Sequence, residues 1–380
     1  MKRIPFKPKL LTITSFLAVC VGVYILGVAY SLFREPMNNN SSFIVLNQRD
    51  DTPDQCENVN LIYYDEEQNN ENIKDLKECK GSDKNFEKVL RKNMQKVDNY
   101  LFNDSNKLLK CLQLDREGIV KLSTPRRSKE LLPIFVTALS DNHFQEFIQL
   151  INSLKIYQET KHPQLMIFVY DIGLSKANSK LVRQMCNCKV RAFPFNTFPK
   201  HVKNVHGYTW KPIIIQMMLQ EFDFVMWLDT SVRLENTDPF FVKAKCLGIQ
   251  VLEGSGSIAV RTQKRLFERF KEDQCMFNYP EIQAGMVIIS RTYFTPNYIM
   301  RPWVGCALEY GCMDFPNAEV YINCTKRWIP SDCHRFDQST LGVFMTRLFN
   351  KRRHHFVVKE DFAKVLRHET ESSQSQNISK

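Results

Sequence analysis

The stretch Phe224-Val-Met-Trp-Leu-Asp-Thr-Ser-Val-Arg233 decides how the chain is read. An apolar run ends on one carboxylate, Asp229, followed by two hydroxyls and the cation of Arg233. A short apolar run bounded by polar residues reads as a buried strand. A strand that stops on Asp carries that carboxylate to the carboxyl edge of its sheet, where open α/β sheets bind nucleotides and phosphates. Strand side chains alternate, so Asp229 and Ser231 would share a face if the extended geometry continued. A carboxylate and a hydroxyl on one side can hold a hard cation, directly or through water. Alternatively, Asp229 caps a following turn. The local sequence leaves both readings open.

Outward from this stretch, apolar runs alternate with helical spacing. Leu131–Leu139, Gln164–Tyr170 and Lys189–Phe195 read as strands, and Phe144, Phe147, Ile148, Ile151 and Leu154 mark a helix over 144–157. Ser179–Met185 is a short helix, and Tyr208–Leu219 a longer one with Pro212 near its start, where a missing N–H costs little. The strand Phe222–Leu228 follows. Glu281–Ser290 reads as another strand and Asp337–Phe349 as the last clear helix. This alternation predicts an α/β domain over residues 131–355, with a mixed, mostly parallel sheet and helices on both faces.

Several residues in this frame could carry chemistry. Lys211 opens the helix that feeds the Asp229 strand, and a Lys beside a helix N-terminus suits phosphate; the alternative is a solvated side chain. Gly285 lets backbone approach a ligand, and Gln283 could hydrogen-bond a sugar hydroxyl, although a plain turn before a core strand explains both. Asp337 either N-caps its helix or points into a cleft. His354 could complete a metal shell or sit on the surface. Cys306, Cys312, Cys324 and Cys333 lack a close Cys-x2-Cys pair, which favours disulfides over zinc. Cys186 and Cys188 are too close in sequence to bond easily to each other, so each is expected to pair elsewhere.

The N-terminus sets the compartment. Leu10–Phe33 is an uncharged, largely apolar stretch of 24 residues, and about 20 suffice to span a bilayer. Lys2, Arg3, Lys7 and Lys9 precede it, so the positive-inside bias leaves residues 1–9 as a cytoplasmic tail and the rest in the lumen. A cleaved signal peptide with Ala29-Tyr30-Ser31 as its site is the rival reading, but the stretch exceeds the usual h-region. Residues 34–130, rich in Asn, Asp, Glu and Lys, read as a stem, and 356–380 as a C-terminal tail. Twelve cysteines, with Cys20 in the expected span, fit an oxidising lumen. Sequons at Asn39, Asn40, Asn103, Asn323 and Asn377 agree. The net charge of +11 would suit nucleic acid, but the lumenal topology argues against that partner.

A type II anchor, a stem and a lumenal α/β domain together resemble Golgi glycosyltransferases of the GT-A fold. The resemblance lies in the first strand at Pro133–Leu139, the helix with Lys211, Trp227-Leu-Asp-Thr-Ser231 where such enzymes place Asp-x-Asp, and the later Gly285 and Asp337-Gln338. Tyr208-Thr-Trp-Lys-Pro-Ile-Ile214, Trp227–Arg233 and His334-Arg-Phe-Asp-Gln-Ser339 more closely resemble an uncharacterised, nematode-expanded family, over about residues 130–350. The resemblance implies a nucleotide-sugar donor, an acceptor hydroxyl on a glycan, glycoprotein or glycolipid, and Mn2+ or Mg2+ in the Golgi lumen. By position, Asp229 would contact metal or ribose, Lys211 the diphosphate, and Gln283 and Asp337 the donor sugar or acceptor, with Asp337 the base of an inverting enzyme. Ser231 departs from the pattern. Either Ser231 and Arg233 replace what a second Asp supplies, in a metal-independent enzyme, or the fold binds glycans or proteins without turnover. A sulfotransferase is disfavoured, because Ala138-Leu-Ser-Asp-Asn-His143 lacks the basic residue and Gly that a phosphosulfate loop needs after the first strand.

Overall fold

A computed structural model describes residues 86–123, 132–235, 237–292, 294–317, 321, 324, 333–358 and 363–366. The expected cytoplasmic tail, membrane helix, first half of the stem and most of the C-terminal tail lie outside the described residues. Among the described residues no helix is long and apolar enough to cross a membrane.

Three helices come first: α1 (Phe86–Asp98), α2 (Asn106–Cys111) and α3 (Arg116–Leu122). Strands and helices then alternate through β1 (Ile134–Ser140), α4 (Phe144–Thr160), β2 (Ile167–Gly173), α5 (Lys176–Met185), β3 (Lys189–Ala192), α6 (Trp210–Glu221) and β4 (Phe224–Leu228). Next come β5 (Val232–Leu234), α7 (Asp238–Leu247), β6 (Ile249–Ser257), α8 (Lys264–Arg269) and β7 (Pro280–Ser290). The described chain closes with α9 (Arg301–Leu308), α10 (Phe336–Phe349), β8 (Val357–Val358) and β9 (Ala363–Val365).

Seven strands form one sheet in the order β3-β2-β1-β4-β7-β6-β8. The first four run parallel, β7 is antiparallel to both β4 and β6, and β8 lies parallel to β6. This is the mixed, mostly parallel sheet that the alternation predicts. Successive β4 side chains explain the layering. Phe224, Met226 and Leu228 enter a core with Phe147, Leu150 and Ile151 of α4 and Phe241 of α7. Trp227 points the opposite way, its ring 5.9 Å from that of Trp210 on α6. On that side α9 and α10 complete the layer, where the Trp303 indole donates to the Asp337 carbonyl at 3.1 Å.

Part of the stem-like stretch is laid against these layers. Asn93 of α1 donates to the Leu348 carbonyl at 3.3 Å, and Gln216 of α6 donates to Leu112 O at 2.8 Å. Gly305 of α9 lets the Phe102 ring in, since a Cβ there would meet that ring at 2.6 Å. The predicted disulfides form as Cys306–Cys312 and Cys324–Cys333. Cys186 and Cys188 bond to each other, contrary to the expectation from their spacing. Helix α5 stops at Met185, Cys186 is extended, and the bend that follows brings the two Cα atoms to 5.1 Å, within disulfide reach.

Candidate active site

Strand β4 ends where Leu228 pairs with Met286 of β7, and Asp229 N donates to Gly285 O at 2.7 Å. The chain then turns, with Val232 N donating back to Asp229 O at 3.0 Å. The extended geometry that would set Ser231 beside Asp229 therefore ends at Leu228. Ser231 is buried, and its carbonyl accepts from Leu366 N at 2.7 Å as β9 pairs with β5. A carboxylate–hydroxyl pair set by strand alternation does not form here.

Asp229 finds its partners across the sheet. The Lys211 ammonium lies 2.9 Å from Asp229 Oδ1 and 2.7 Å from Asp337 Oδ2, and donates to Ala284 O at 3.3 Å. With two carboxylate oxygens and a carbonyl around a buried ammonium, Lys211 is turned to the carboxylates and not to the diphosphate contact expected of it. Its side chain is 3 % exposed, that of Asp337 7 %, and that of Asp229 31 %, so Asp229 is the member open to a ligand. Burial pulls the Lys211 amine down, but the carboxylates of Asp229 and Asp337 outweigh it and hold the amine above its usual range. Burial pushes the Asp337 carboxyl up, against the pull of Lys211.

Aromatic residues frame this cluster. The Trp227 indole donates to Asp229 Oδ1 at 2.8 Å, and the rings of Tyr208 and Trp227 each lie 5.6 Å from Lys211 Nζ. Tyr208 and Phe336 both adopt left-handed backbone, with φ of 53° and 44°, and their rings are 5.9 Å apart. That conformation costs roughly 1–2 kcal/mol per side-chain-bearing residue. It recurs three residues before Lys211 and one before Asp337, so strain is held where the ion pair is aimed. Gly285 lies beside the carboxylate, where a Cβ would stand 3.4 Å from Asp229 Oδ2.

The remaining predicted residues lie outside the cluster. Arg233 donates to the carbonyls of Thr230, Val232 and Glu146 and to Gln149 Oε1, which ties it to α4. Gln283 donates to Glu253 O across the β6–β7 pair at 3.0 Å. His354 Nδ1 lies 2.8 Å from Lys351 O. Among the described residues no group of three His, Cys, Asp or Glu side chains is placed to hold a metal ion. The donor set fits Mn2+ or Mg2+ poorly: one Asp229 oxygen is taken by an ammonium and an indole, and Asp337 faces the same ammonium.

Sequence reasoning passed over the aromatic frame and the loop from Phe195 to Gly207. That loop joins the carboxyl end of β3 to α6, and it carries exposed Lys200, Lys203 and His206. Trp210 anchors it by donating to Val205 O at 2.9 Å, and stacks toward Trp227. The run Lys200-His-Val-Lys203 was a legible signal. Gln338, beside Asp337, is buried with its Nε2 making no hydrogen bond among the described residues.

A family model described as a protein of unknown function (DUF1647) matches residues 64–216, which takes in Tyr208–Ile214 and Lys211. No curated protein matches the chain. Solved structures similar to it include the galactosyltransferase LgtC in complex with donor and acceptor sugar analogs, at 17 % identity and a TM-score of 0.33, covering 59 % of this chain and 72 % of that one. Core-mannan synthase A from Aspergillus fumigatus in its Mn/GDP form is similar at 9 % identity and a TM-score of 0.36, over 63 % and 75 % of the two chains. Mouse xyloside xylosyltransferase 1 is similar at 10 % identity and a TM-score of 0.35, over 60 % and 84 %.

Proposed function

We propose that the chain is a membrane-anchored, lumenal glycosyltransferase that moves a sugar from a nucleotide-sugar donor to a hydroxyl of a glycan, protein or lipid. The observation that carries this reading is the buried Lys211, which aims two carboxylates at the carboxyl edge of β4, one of them partly exposed. Asp229 would accept a hydroxyl of the donor through Oδ2, which Gly285 leaves accessible. As the acceptor oxygen attacks the anomeric carbon and the bond to the diphosphate breaks, its proton would pass to Asp337, which is buried behind Asp229 and would be reached through a water. The basic loop of Lys200, Lys203 and His206 would offset the departing charge. The Golgi membrane location and type II topology rest on Leu10–Phe33 and its basic flank, and are supported by the disulfides and by Asn103, a sequon residue on the surface.

The test is a binding and hydrolysis screen of nucleotide sugars with the full-length protein and with Asp229→Ala. One donor should bind, and the variant should bind it at least about tenfold more weakly, the worth of one charged hydrogen bond. If no donor binds and Asp229→Ala changes nothing in cells, the enzyme reading is dropped. A second reading, a transferase fold that binds without turnover, is favoured by Ser231 standing where a second carboxylate is expected. Donor binding without hydrolysis or transfer would select it.

A further inference from the structure

We infer that the cation position of this donor site is filled from within the chain, by the Lys211 ammonium, and that the site engages its nucleotide without a divalent ion. The inference rests on the proposed donor site and concerns how that site handles charge. A divalent ion held at such an edge takes its protein ligands from one or two carboxylates and the rest from phosphates and water. Here the two carboxylates that converge, Asp229 and Asp337, both place an oxygen within 3 Å of Lys211 Nζ. That geometry is the bridging position between them. The ammonium is fixed there by a third acceptor, Ala284 O, and by two aromatic faces.

Two further features close the position to a metal. Asp229 Oδ1 also accepts the Trp227 indole N–H, so the oxygen has both an ammonium and an indole as partners. Any dication taken up by Asp229 Oδ2 would sit on the same carboxylate as the ammonium, and the two like charges would repel at short range with little water between them. The residue that could have added a ligand from the next turn, Ser231, is buried and ordered by its backbone bond to Leu366 rather than by the cluster. Lys211 therefore does what a metal does for geometry, holding two carboxylates apart at a fixed separation. Unlike a metal, it offers no open coordination site to phosphate.

Mn2+ itself is the probe. Titrated into the full-length protein and followed by electron paramagnetic resonance, Mn2+ should find no site that saturates below about 1 mM, a weak limit for a protein cation site. Lys211→Met, which keeps the unbranched stem but lacks the terminal ammonium, should gain one. Circular dichroism reports whether that variant is folded. If it is not, the wild-type titration decides: a wild-type Mn2+ site that Asp229→Asn abolishes overturns the inference. A folded Lys211→Met that gains no site also counts against it, because the ammonium would then not be what fills the position. Calorimetry with nucleoside diphosphates separates this inference from the function proposed above. Equal affinity in Mn2+ and in chelator, within about twofold, is expected, and a tenfold tightening by Mn2+ contradicts it. No nucleotide binding in either condition would sink the transferase reading, while the Mn2+ titration would still judge the cation position.

Discussion

Gly285 faces the open oxygen of Asp229. A Cβ there would stand 3.4 Å from Asp229 Oδ2 and 3.5 Å from Val232, ordinary van der Waals contact, so Gly285→Ala fits without moving the carboxylate. Its backbone is not left-handed, so little stability should be lost, with a melting temperature within about 2 °C of wild type. Donor affinity should fall by up to about tenfold, since the added methyl would stand beside the oxygen left open to the donor. A thermal melt beside a calorimetric titration checks both halves. At this scale the sequence was partly legible: Asp229, Lys211, Asp337 and Gly285 all belong to the cluster. Their closure into one ion-pair array was not, because Lys211 and Asp337 come from helices far apart in the chain. Arg233 misled for a related reason, as nothing local shows that α4 would claim its guanidinium.

The helix α10 carries Asp337, and its entry is held by a buried histidine. His334 accepts from Gln263 N at 3.4 Å through Nδ1 and therefore donates from Nε2 to Met313 O at 3.0 Å. Burial pushes this imidazole down to about 4. Between about pH 6.5 and 4 the unfolded chain binds the proton more readily than the folded one, so stability falls as pH falls through that window. A shift of this size is worth about 3 kcal/mol at full titration. His355, pushed down to about 3 chiefly by burial, acts in the same direction. His334→Gln, whose amide can still donate to Met313 O, should flatten the pH dependence of urea unfolding over that window, with the His355 share remaining. Among elements, periodicity revealed β1, β4, β7, α4, α6 and α10 because their apolar runs are long. It missed β6, where Gln250 and two glycines interrupt the pattern; there Gln250 is buried because its amide donates to His355 O at 2.9 Å.

At the scale of the whole molecule, the helices before β1 are fastened to the α/β layers by charge. Glu272, buried after α8, accepts from Tyr100 at 2.7 Å, pairs with Lys96 of α1 at 2.9 Å, and takes Arg347 of α10 through both oxygens. Removing one partner of such a buried array costs about 3–5 kcal/mol. Glu272→Ala should lower the unfolding free energy by that amount in urea, and a chain begun at Leu132 should aggregate where one begun before Phe86 stays soluble. Composition reads as a stem here and does not show where it packs, since an amphipathic helix shows a face to bury but not the surface that covers it. The pairing of β9 with β5 bears on how the protein is made. Val232 meets Val365 and Ser231 meets Leu366, so the turn after Asp229 is completed by residues more than 130 positions further along the chain. Sheet and helices can form during synthesis, but the edge that bears Asp229 cannot be finished until residues 363–366 have been made. A product cut short before Ala363 would be a folded body with an unlatched site.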